Sequence, residues 1–223
     1  VSAGTFLRFA APVVTLILGK LVCFGFMTRA AAGLGELPLA CHQLALSSFF
    51  FLSPCLEVLS QTAQAFVPQY TQPPEGADRA AWRATADALA ARLLRLSCAV
   101  ALFTAALGAA IPLHGAGLLT TDPAVVSQMR PLWAPLSAAL LLTGPVCASE
   151  GVLLARRQLG FLSAVYLTSV GALPYLLLRV TSVGGVWRTF ALFQLARAAS
   201  FTGRVWLPSA VDRWRGADAA RDA

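Results

Sequence analysis

Four acids and amides in an apolar stretch are the first residues whose spacing could do chemistry. Glu57, Gln61 and Gln64 share one face if residues 39–66 are helical, because positions three and four apart are neighbours on a helix surface. Gln43 and His42 sit one end of the stretch away, and Pro54 interrupts it. A polar face on an apolar helix most simply points at a cavity, although bonding between helices would use it equally well. Lys20 is the chain's only lysine and falls about 21 Å into the first apolar run if that run is helical. A lysine at that depth costs a few kcal/mol unless paired or hydrated. It suits attraction of an anionic solute or an internal ion pair that breaks during a cycle; otherwise it snorkels to the nearer surface. Glu57 and Glu150 are carboxylates that could carry a proton, since burial and a neighbouring cation push their proton affinity in opposite directions. The plainer reading puts Glu57 at an interface and pairs Glu150 with Arg156 or Arg157. His42 admits a proton-relay reading, but packing and capping fit it better.

The elements that must position these groups are membrane spans. The chain has 223 residues, 57% of them hydrophobic and 12% charged. A soluble domain carries about a quarter charged residues, so the solvent is lipid. Six apolar runs follow, at about 6–28, 39–66, 89–111, 130–155, 159–178 and 186–207. The first is roughly 33 Å long as a helix and matches the hydrocarbon core. The second, about 40 Å, is too long for a perpendicular crossing and predicts a kink near Pro54. Pro135 and Pro145 in the fourth run are further candidate hinges. Between the runs, residues 78–87 predict a short amphipathic helix, 112–128 a loop in which Asp122-Pro123 starts a helix, and 210–223 a frayed charged tail.

Six crossings put both ends on one side. Arg8, Arg79, Arg83, Arg92, Arg95, Arg156, Arg157, Arg204, Arg213, Arg215 and Arg221 then share that side, against Arg29, Arg130, Arg179 and Arg188. The imbalance places both termini on the cytoplasmic or equivalent face. The net charge of +7 is thus explained by topology, without a nucleic-acid partner. Cys23, Cys41, Cys55, Cys98 and Cys147 form no Cys-x-x-Cys pair and predict free thiols rather than a metal site. No phosphate loop, Gly-x-Ser-x-Gly or His-Glu-x-x-His motif is present, and the chain reads as neither an enzyme nor a cofactor protein.

Three motifs carry a family resemblance. Ala-Cys-His-Gln at Ala40–Gln43, with Glu57–Pro68 closing the same run, resembles the first return helix in the C-terminal half of multidrug and toxic-compound extrusion (MATE) carriers. Ala11-Pro12 with Lys20, and Glu150–Leu159, resemble the plastid-envelope branch, which includes a plant salicylic-acid exporter. The last motif departs at Arg156-Arg157-Gln158, where the branch has Gly-Arg-Asp, so an acidic residue is lost. The resemblance implies an all-α integral membrane six-helix bundle over residues 1–209, one lobe of a twelve-helix transporter. It implies a proton- or sodium-coupled antiporter in the chloroplast envelope that exports aromatic or anionic small molecules. In that reading Glu57 and Glu150 couple the ion, Lys20, Gln43, Gln61 and Gln64 line the substrate cavity, and Pro54, Pro135 and Pro145 bend. Its partners are the bilayer, the solute, the coupling ion and a missing N-terminal lobe, since the sequence starts at Val1. The alternative is a truncated, non-transporting lobe that serves as an assembly partner.

Overall fold

The computed structural model describes the backbone of residues 3–70 and 78–219 and the side chains of 14–70 and 78–206. Every regular element in it is helical: α1 (Ala3–Ala32), α2 (Glu36–Leu52), α3 (Pro54–Phe66), α4 (Arg79–Ala110), α5 (Ala116–Leu119), α6 (Pro123–Met129), α7 (Trp133–Ala155), α8 (Leu159–Leu177) and α9 (Val183–Ala219). Gly35, at φ 115°, turns the chain between α1 and α2 in a conformation that side chains with a Cβ resist. Pro54 breaks the second run into α2 and α3. It supplies the first residue of α3, where its missing N–H costs nothing, while Ser53 donates its N–H to Phe49 and accepts from Leu56 and Glu57.

Two expectations about the connections are corrected. Residues 78–87 are not a separate amphipathic helix: α4 runs unbroken from Arg79 to Ala110, capped by the Asp78 carboxylate accepting from the Ala80 N–H at 2.8 Å. No Gly or Pro interrupts 79–107, and the alanines there favour continuation. Residues 112–128 are not a loop but a wide helical turn (Ile111–Gly115, which contains His114) followed by α5 and α6. Asp122 and Pro123 start α6 as expected, with Asp122 accepting from Ala124 at 2.8 Å. The last helix continues through Ala210–Ala219, where the sequence suggested a frayed tail. Residues 71–77 and 220–223 lie outside the described residues.

Helix α7 is the centre. Its span is 67% buried, against 22–44% for the other four candidate crossings, and α3, α4 and α9 all pack on it. The close approach rests on glycines. A Cβ on Gly151 would lie 2.6 Å from the Ser60 carbonyl of α3, and one on Gly144 would lie 2.6 Å from Ala101 Cβ of α4. Ser97 ties α4 to α7 through a 2.6 Å bond to the Gly144 carbonyl. Helix α1 lies on α8, with Gly19 against Tyr166.

The packing makes two apolar clusters. One is built from Met27, Phe49, Leu132, Trp187 and Phe190 near the starts of α7 and α9. The other is built from Leu16, Ala63, Leu162, Tyr166 and Phe201 toward their inner parts. Large apolar side chains cover the outside as well: Phe51, Leu102, Phe103 and Leu192 are all more than 60% exposed. Water would not tolerate that surface, and hydrocarbon does. Five helical segments among the described residues are long and apolar enough to cross a membrane, so the chain is a multi-pass membrane protein. The sixth expected run lies in α9, which has the length but carries Arg188, Arg197 and Arg204.

Candidate functional site

Between the two apolar clusters lies a cavity of about 250 Å³ bounded by α1, α2, α3, α7, α8 and α9. Its charged wall is organised by Glu150, which α7 holds at 4% exposure. Lys20 from α1 brings its Nζ to 2.9 Å from Glu150 Oε1. Arg197 from α9 brings Nη2 to 3.1 Å from Oε2, and the Tyr166 hydroxyl of α8 donates to the same oxygen at 2.9 Å. Arg197 also donates to the Tyr166 hydroxyl and stacks over that ring, its Cζ 4.5 Å from the centroid.

The network continues inward. Arg197 Nη1 donates to Gln194 Oε1 at 2.8 Å, Gln194 Nε2 donates to Thr143 Oγ1 at 2.7 Å, and Thr143 donates to the Ala139 carbonyl at 2.7 Å. One carboxylate thus faces two cations and a hydroxyl. Such a triad is held together only because each member satisfies the next, and an unpaired member at this depth would be costly. Lys20 is the loosest member: its side chain is 33% exposed against 6% for both Glu150 and Arg197.

The rest of the lining is largely aromatic, and Phe193 lies against the charged group itself, its ring centroid 5.4 Å from Arg197 Cζ. Phe24, Phe49, Phe50, Phe190 and Phe193 supply the rings, and Phe24 sits 5.4 Å from Phe190 and 4.8 Å from Phe50, centroid to centroid. Glu57 and Pro54 stand at the edge of the same cavity, and Glu57 is exposed.

The residues singled out in the sequence therefore divide. Lys20, Glu57, Glu150 and Pro54 meet at this cavity. Gln61 and Gln64 lie outside its lining, on the exposed face of α3 that continues from Glu57, and Gln64 bonds back to Ser60 at 3.2 Å. Gln43 is exposed at the middle of α2, away from the lining. Pro135 falls in the first turn of α7, where its ring removes no helical bond, and Pro145 lies inside α7 without ending it. The pairing of Glu150 with Arg156 or Arg157 is overturned: Arg156 pairs with Asp87 at 2.9 Å, and Glu150 pairs with Lys20 and Arg197. His42 is fully buried, with Nε2 3.1 Å from Thr28 Oγ1 and its ring beside Trp187, so it packs; seven residues into α2, it caps nothing.

Arg197, Tyr166, Gln194, Thr143 and the phenylalanine wall were not foreseen. Arg197 had a signal. It is an arginine within an apolar run, and the same cost that singled out Lys20 applies to it.

No protein-family model and no solved structure matches the chain. A curated protein does: Protein DETOXIFICATION 47, chloroplastic, of Arabidopsis thaliana is 30% identical over 206 residues. The match takes in 91% of this chain and 37% of that protein, so the chain spans well under half the length of its relative. The motifs at Ala40–Gln43, Glu57–Pro68 and Glu150–Leu159 and this match point the same way: the chain is similar to the multidrug and toxic-compound extrusion carriers, and the relative that it matches is chloroplastic.

Proposed function

We propose that the chain is the C-terminal lobe of a secondary antiporter of the chloroplast envelope, with six crossings that include α9. The observation that carries this reading is the Lys20–Glu150–Arg197 triad on the wall of a cavity in a membrane-spanning bundle. Buried ionisable groups in a bilayer are expensive and mark solute or ion pathways. Arg197, the one arginine of α9 near mid-span, points inward to the triad, so it does not oppose a sixth crossing.

In the cycle we envisage, a coupling cation, proton or sodium, arrives at Glu150 or Glu57 and weakens the hold on Lys20. Lys20, its side chain already 33% exposed, then serves as the anchor for an anionic solute. The phenylalanine wall supplies apolar and ring contacts suited to an aromatic body. The exposed Glu57, Gln61 and Gln64 face is a poor lipid surface, and it fits an aqueous chamber shared with a second lobe. The lobes rock about that chamber, alternately opening it to each side. Pro54, which already separates α2 from α3, is the hinge the geometry favours, ahead of Pro145.

The test is gradient-driven uptake of aromatic acids into liposomes containing the full-length protein. Glu150→Gln is expected to abolish the response to the ion gradient, and Lys20→Gln to raise KM for anionic solutes more than for neutral ones. Unchanged gradient-driven transport in both Glu57→Gln and Glu150→Gln would remove the carboxylates from coupling.

A further inference from the structure

A second concavity lies on the outside of the bundle, along the α7–α9 seam. It is an open groove of about 740 Å³, separate from the charged cavity. Its floor exists because three residues there are small: Ala134 and Ala138 on α7 and Ala191 on α9. Leu142 and Leu195 lie at one end, Gln128 and Ser182 at the other, and Arg188 stands about 9 Å along α9 from Ser182. The two helices run parallel from the Gln128 and Ser182 end, since both start on the same side of the bundle. From Ser182 to Leu195 the groove is about 20 Å long, a length that takes one extended acyl chain. Arg188 is exposed, and among the described residues the ion pairs to carboxylates are made by Lys20, Arg156 and Arg197, not by it.

We propose that this groove is a site for an anionic glycerolipid, one acyl chain lying over Ala134 and Ala138 and the head group on Arg188. Charge decides the occupant. The polar lining residues, Gln128, Ser182 and Arg188, all lie in the half of the groove nearer the starts of α7 and α9, the side where the arginine tally puts a membrane surface, and the other half is apolar. A guanidinium presents a planar fork of donors that matches a phosphate or sulfonate head group. Gln128 and Ser182 add neutral donors in the same half. A zwitterionic lipid would fill the groove but gain less in its polar half, because its own cation faces Arg188.

The site is independent of the transport reading: it needs only that the chain lies in a bilayer. The experiment is native mass spectrometry of the intact protein in mild detergent, titrated with phosphatidylglycerol, phosphatidylcholine and inorganic phosphate separately. Phosphatidylglycerol is expected to bind about fivefold tighter than phosphatidylcholine, and Arg188→Gln to erase that difference. Ala138→Phe fills the floor and is expected to lower retention of both lipids. Equal binding of the two lipids, or an unchanged preference in Arg188→Gln, overturns the proposal. So does displacement of bound phosphatidylglycerol by inorganic phosphate, which would indicate a bare anion site. Labelling of Ala138→Cys by a membrane-soluble maleimide in a cysteine-free background is expected; protection in delipidated protein would show that another part of the protein covers the groove, and would overturn it too.

Discussion

Lys20 Nζ reaches Glu150 Oε1 at 2.9 Å, joining the first helix of the bundle to its central one through the bundle's only lysine. The pair is unequal. Lys20 is 33% exposed at its side chain, and Glu150 also holds Arg197 and Tyr166. Removing Lys20 leaves the carboxylate satisfied, whereas removing the carboxylate leaves two cations facing each other. Lys20→Met is therefore expected to cost about 1 kcal/mol, and Glu150→Gln about 3–5 kcal/mol. Thermal unfolding of the detergent-solubilised intact protein checks the ranking; equal losses would mean that Arg197 and Tyr166 do not satisfy the carboxylate once Lys20 is gone.

Arg197 is expected to resist even conservative replacement. Its two terminal nitrogens serve different partners, Nη1 going to Gln194 and Nη2 to Glu150. A lysine is a point charge and cannot keep that fork. Arg197→Lys should thus behave like Arg197→Gln in stability, with a loss of about 2 kcal/mol or more. Full retention of thermal stability and transport by Arg197→Lys would show that charge alone suffices.

What the sequence made legible follows locality. The break at Pro54, the start of α6 at Asp122-Pro123 and the membrane character of the runs are written in neighbouring residues. The partners of Glu150 are not, because Lys20, Tyr166 and Arg197 come from three other helices and only packing brings them together. The nearest cations in sequence, Arg156 and Arg157, offered a local answer that the fold rejects: Arg156 turns to Asp87 of α4 instead. The length of α4 is hidden for a different reason. Its composition shifts from charged to apolar as a boundary would, yet a change of surroundings along a membrane helix does not require a break in its backbone.

Packing at the centre gives a sharper test. Gly151 has the Ser60 carbonyl 2.6 Å and the Ser60 Cα 2.7 Å from where a Cβ would stand, and both are backbone atoms that cannot swing aside. Gly151→Ala must push α3 from α7, at an expected cost of about 1–3 kcal/mol. Gly171 in α8 meets nothing within 4 Å, so Gly171→Ala is expected to be neutral or stabilising by up to about 1 kcal/mol. Melting temperatures of the two variants side by side decide it: comparable values would mean that α3 does not pack on α7 as described.

The turn between α7 and α8 stores strain that one substitution should release. Gln158 N–H bonds to the Leu153 carbonyl at 2.9 Å and Arg157 N–H to the Leu154 carbonyl at 3.0 Å, the paired bonds that close a helix with a left-handed residue. That residue is Arg157, at φ 55°, where glycine is the usual occupant. An arginine there carries a Cβ penalty of about 1 kcal/mol. Arg157→Gly keeps both bonds and removes the penalty, and is expected to raise the melting temperature by about 2–4 °C. Arg157→Asn, better tolerated in this region than most residues with a Cβ, should fall between the two. A lower melting temperature for Arg157→Gly would mean that the arginine side chain contributes contacts worth more than its backbone strain.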